Sequence, residues 1–187
     1  MSGRLCIVAS KTSLKSTLGK HSPARFNTYF KTHNNWMRGL KEEGFVLSDT
    51  LETVAIKGTP YMEMSGDIFL QGNLKMHVHK TLRASKVAGV VYVETIKYAY
   101  NLSLQKVGNI FRYDNAHAHY GHFFKDHKHE YEPPGVRKSL IEIRRKDEVP
   151  TLGEALNESR LFLDWHEKYC LQAEDPIIEE ATESDDY

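Results

Sequence analysis

Five of the ten histidines lie between positions 117 and 129: His117, His119, His122, His127 and His129. They follow Arg112, Tyr113, Asp114 and Asn115 and are interleaved with Lys125, Asp126 and Lys128. Two His-x-His pairs, His117/His119 and His127/His129, each aim two imidazoles at one side wherever the chain is extended, because alternate side chains of a strand share a face. Three chemistries fit this arrangement. Imidazole titrates near neutrality, at about 6.5, so one neutral and one protonated ring serve as base and acid. Metal-free RNA cleavage needs that couple, one group taking the 2′-hydroxyl proton and another protonating the leaving 5′-oxygen. Arg112, Lys125 or Lys128 would then stabilise charge on the phosphate, Asp114 would orient a ring, and Tyr113 would hydrogen-bond or stack on a base. Alternatively, His117, His119, His127 and His129 would ligate zinc or another transition metal, although the spacing matches no zinc-finger pattern. The plain alternative is a polar segment that happens to be histidine-rich.

Other chemistries leave no mark. The sequence has no Gly-x-Ser-x-Gly elbow and neither of the Gly-rich phosphate-binding loops, which disfavours hydrolases of that type and enzymes of nucleoside triphosphates or dinucleotides. Cys6 and Cys170, far apart, read as small hydrophobes rather than nucleophiles or a disulfide framework. No apolar run is long enough to span a membrane, and the stretch from Leu5 to Ala9 is too short for a secretory core. The expected setting is cytoplasmic, with no membrane partner.

The elements that must position these groups can be read from periodicity. Phe26, Phe30, His33 or Asn34, Met37 and Leu40 recur at helical spacing within 24–44, and Gly44 is a natural stop. The segments 45–47 and 52–57 read as short strands or connections. From Asp67 to Leu82, Leu74, Met76 and Val78 share one face and Lys75, His77 and His79 the other, with Gly72-Asn73 marking a bulge or bend. Residues 89–104 form a long β-branched and aromatic run in which Tyr92, Tyr98 and Tyr100 alternate on one face as core residues. Residues 106–108 turn the chain, 109–114 return, and 139–145 read as a further strand, so the middle is an antiparallel meander. Thr151-Leu-Gly-Glu154 matches a helix capping box, and Leu152, Leu156, Ser159, Leu163 and His166 line one face of the helix that follows.

The 187 residues carry 25 basic and 25 acidic side chains, a formal charge of zero. The zero is a cancellation. Residues 1–41 hold eight bases and no acid, while residues 174–187 hold seven acids and no base. Residues 1–173 therefore carry +7, which suits a polyanion-facing body with an acidic appendage. Three regions are expected: a flexible basic arm over 1–23, a single domain over 24–173 and a disordered acidic tail over 174–187.

The run from Asn109 to His117, the His127-Lys-His129 element and the helix start Val149-Pro-Thr-Leu-Gly-Glu154 together resemble the TumE family of toxin–antitoxin proteins, over roughly residues 66–166. The resemblance implies a small bacterial or archaeal toxin acting on RNA, partnered by a helix-turn-helix antitoxin. The residues that match are Arg112, Tyr113, Asp114, Asn115, His117, His127, Lys128 and His129. The expected fold is α+β, a twisted antiparallel sheet of about four to six strands packed by an N-terminal and a C-terminal helix. The expected activity is that of an endoribonuclease needing no metal, with His117 and His129 as base and acid in either order. A non-catalytic nucleic-acid or protein-binding module, or a histidine-ligated metal-dependent hydrolase, are the alternatives.

Overall fold

The computed structural model describes residues 23–115, 125–132, 134–145 and 148–169. The expected arm up to residue 22, the expected tail, both cysteines, and His117, His119 and His122 lie outside them. Among the described residues the order is β1 (Ala24–Arg25), α1 (Phe26–Glu42), β2 (Val46–Asp49), β3 (Glu52–Ala55), β4 (Tyr61–Leu70), β5 (Leu74–Val87), β6 (Val90–Leu104), β7 (Gly108–Asp114), β8 (Asp126–Tyr131), β9 (Arg137–Ile143) and α2 (Leu152–Tyr169). The strands form one antiparallel sheet in the order β2-β4-β5-β6-β7-β8-β9, with β3 beside β4 and β1 beside β6.

Among the described residues the fold is α+β with the two expected helices, but nine strands replace the expected four to six. Three strands beyond six account for the difference: β1, β8 over the His127-Lys-His129 element, and the one gained where the expected 67–82 strand divides. Gly72 and Asn73, both at positive φ (65° and 56°), form a tight reversal closed by Leu74 N–H to Gln71 C=O at 3.3 Å. Two consecutive left-handed residues make a primed turn whose twist suits a hairpin. What reads as one bent strand is therefore the β4–β5 pair. In addition, β4 and β6 are long enough for short pieces, β1 and β3, to pair along stretches their main neighbours leave open.

Both helices cover one face of the sheet. Helix α1 buries Tyr29, His33, Met37 and Leu40. The stripe enters through Tyr29 rather than Phe26 and Phe30, and Phe26 is exposed. Gly44, at φ 76°, ends the helix as expected. Helix α2 begins in a reciprocal capping box: Glu154 accepts from Thr151 N–H at 2.7 Å, and Thr151 Oγ1 accepts from Glu154 N–H at 3.1 Å. Such a cap is worth about 1 kcal/mol. Its buried face holds Leu152, Ala155, Leu156, Ser159 and Leu163; the side chain of His166 is outside the described set. These residues join Met76, Val78, Tyr98, Tyr100 and Leu102 in the main core.

The tyrosine stripe is broken by a bulge. Thr81 pairs with Lys97 but Leu82 pairs with Thr95, so Ile96 is an extra residue in β6. Side-chain parity inverts there. Val93 and Thr95 face the helices before it, Tyr98, Tyr100 and Leu102 after it, and Tyr92 is left on the opposite side. Asn115 secures the bulge, accepting from Tyr98 N–H at 2.8 Å and donating to Ile96 C=O at 3.3 Å.

Candidate active site

The site is built where β7 and β8 pair. Asp114 stands opposite His127, Tyr113 opposite Lys128 and Arg112 opposite His129. Alternation therefore sorts the conspicuous residues onto two faces. Arg112, Asp114, His127 and His129 share the face away from the helices. Tyr113 and Lys128 point toward α2.

On the first face a carboxylate is the hub. Asp114 and His127 are each 1% exposed. His127 Nε2 lies 3.2 Å from Asp114 Oδ1, and its Nδ1 lies 3.1 Å from the Lys125 carbonyl. The ring is bracketed by acceptors on both nitrogens, which fixes its orientation. Arg112 Nε reaches Asp114 Oδ2 at 2.7 Å while 37% of its side chain stays exposed. His129 sits at the rim, 14% exposed, with Nε2 3.9 Å from Asp114 Oδ2 and its ring edge-on to His127, centroids 4.8 Å apart. Burial, with the Arg137 and His127 charges, lowers the His129 pKa to about 4, against a smaller opposing pull from Asp114. His129 is thus a neutral imidazole at physiological pH, set beside a guanidinium and a buried carboxylate.

The other face is a closed structural network. Lys128 Nζ bridges Glu130 at 2.7 Å and Glu158 at 2.8 Å. Burial opposes its charge, but the two carboxylates outweigh that and raise its pKa. Tyr113 donates to Glu158 at 2.7 Å, and burial together with that bond keeps the phenol protonated. Neither side chain stands beside Asp114. Glu158, which ties both to α2, and Arg137, which acts on His129 from β9, are absent from the sequence reading. Glu158 carries a faint signal, one helical turn beyond the capping Glu154. Arg137 carries none, because its register depends on a bulge between Glu130 and Tyr131.

His77 and His79 lie on β5, on the same side of the sheet as His129, two strands away from β7. His77 Nδ1 is held by Asp67 Oδ1 at 2.8 Å.

The cluster can do two things chemically. A neutral rim imidazole beside a part-exposed arginine can take a proton next to a phosphate. Alternatively, Asp114, His127 and His129 each offer a ligand atom, all within 4.8 Å of one another, which fits three donors of a transition-metal site. Against the second, Arg112 already occupies one oxygen of the carboxylate.

A family model described as Toxin TumE matches residues 46–167. No curated protein and no solved structure matches. The model begins at β2, so it takes in β2 to β4, further toward the N-terminus than the motifs alone reach. None of the described helices is long and apolar enough to cross a membrane.

Proposed function

The chain belongs to the TumE toxin family, which implies an antitoxin partner, and on that basis we propose that it acts as an endoribonuclease through histidine acid–base chemistry. One observation supports this above others: His129 is a neutral imidazole at the rim of a site beside the part-exposed Arg112. In this reading His129 takes the proton of the RNA 2′-hydroxyl. The 2′-oxygen attacks the adjacent phosphorus, and the bond from phosphorus to the 5′-oxygen breaks. That leaving oxygen receives its proton from a second histidine, for which His117 is the candidate. The products are a 2′,3′-cyclic phosphate and a 5′-hydroxyl end, so atoms balance without water. Arg112 neutralises the phosphate. Asp114 and His127 act as positioning residues, too buried to touch RNA. The antitoxin would be of the helix-turn-helix type and would relieve the toxicity.

Expression with His127→Ala plus His129→Ala tests the reading. Growth inhibition and RNA cleavage should both vanish while the circular dichroism spectrum is kept. Toxicity that survives the double change would refute the acid–base scheme. A second reading, a metal-dependent hydrolase, rests on the three converging donors. Under the first reading a strong chelator leaves cleavage intact; under the second it stops cleavage and zinc restores it.

A further inference from the structure

The register carries one side-chain row straight across the sheet from the site. His129 pairs with Arg112, Arg112 with Asn101, Asn101 with His77, and His77 with Asp67. All lie on the face away from the helices. Strand spacing of about 4.8 Å puts roughly 14 Å between the His77 and His129 backbones, room for a short run of nucleotides. The row is polar, with the Arg112 guanidinium near one end and the Asp67 carboxylate at the other. The His77 side chain is 54% exposed, and Asp67 fixes Nδ1 as the bonded nitrogen, leaving Nε2 to meet a ligand. Asn101 donates to Asn109 at 3.0 Å, while its buried Oδ1 accepts nothing among the described residues. Lys75 lies one position along β5 on the same face, 3.5 Å from Asp67. In the neighbouring row, the small side chain of Ala99 stands between His79 and Asp114.

We propose that this row is a binding track for single-stranded RNA, leading from the cleavage site across β7, β6 and β5. The proposal rests on the ribonuclease reading and names where its substrate lies. A double-stranded RNA would be read across its grooves by shape. A sheet face that carries imidazoles able to stack on bases and a guanidinium able to bind phosphate instead suits an unpaired strand. His77 and His79 hold nucleotides remote from the scissile bond.

The test compares cleavage of a mixed-sequence single-stranded RNA of on the order of 12 nucleotides with that of mixed dinucleotides, using the full chain and its His77→Ala/His79→Ala variant. The variant should raise KM for the long RNA about tenfold, leave its kcat unchanged and leave dinucleotide cleavage unchanged. His79→Glu, with His77 and its Asp67 contact left intact, should also raise KM for the long RNA, more steeply at low salt. If the wild type cleaves but both variants keep its KM for the long RNA, the track is wrong and the ribonuclease reading stands. Equal losses on long RNA and dinucleotides would also overturn the track, since His77 and His79 would then act at the cleavage site. If the wild type cleaves neither substrate, both ideas fall together.

Discussion

Asp114 and His127 are cross-strand partners that meet side chain to side chain, Nε2 to Oδ1 at 3.2 Å, with almost no access to solvent. A buried carboxylate is costly unless partnered, and here it has Arg112 as well. Asp114→Asn keeps the shape but removes the charge facing both partners. It should destabilise the fold by about 3 kcal/mol, measured by urea unfolding. It should also lower the His129 pKa further, because Asp114 is the group pulling it upward; an NMR titration of the ring would read that shift.

The low pKa of His129 gives the pH–rate profile a recognisable shape. The base must be neutral to work, and the free protein holds it neutral down to about pH 4. The acid limb of kcat/KM on RNA should therefore fall near pH 4 rather than near 6.5. A limb at the ordinary imidazole value would remove His129 from the role of base.

His33, buried on α1, is likewise lowered to about 4, by burial first and the Lys80 charge second. Between pH 6.5 and 4 the unfolded chain takes up protons that the folded chain refuses at His33 and His129. Stability is then greatest above pH 6.5 and declines as pH falls toward 4. Melting temperatures across that range should show the decline, and His33→Gln should flatten it.

Lys128 and Arg112 face opposite ways, so their removal should be felt differently. Arg112→Met should cost about 10²-fold in cleavage rate. Lys128→Met should leave cleavage nearly unchanged while lowering the melting temperature, because Glu130 and Glu158 lose the cation between them. Comparable catalytic losses in the two variants would contradict the division of faces.

The acidic segment 174–187 cancels the +7 of the preceding residues. Its deletion should tighten binding of single-stranded RNA at low salt and have little effect at high salt. Fluorescence anisotropy at two ionic strengths distinguishes competition by the tail from a merely solubilising end.

Much of the site was legible because it is local. The Arg112-to-Asp114 strand end and the His-x-His element at 127–129 each declare their alternation, and pairing the two strands brings Asp114 to His127. The capping box and Gly44 were legible for the same reason, each being a backbone requirement met within a few residues. Relationships set by register were not. No periodicity reveals that Ile96 is supernumerary, so alternation alone sets Tyr92 with Tyr98 and Tyr100. The partners of Lys128 depend on Glu158, which only the packing of α2 on the sheet supplies. Alternation separates Lys128 from His127 and His129, yet which face holds Asp114 follows from the β7–β8 pairing.

The family match begins at Val46, just after α1 ends. That helix nonetheless supplies Met37 and Leu40 to the main core and Tyr29 to a second cluster with Met64 and Leu82. The stretch that defines kinship and the stretch that folds as one body have different borders. A fragment cut at the kinship border would bare an oily sheet face, so α1 is a built-in cover that the kinship stretch cannot do without.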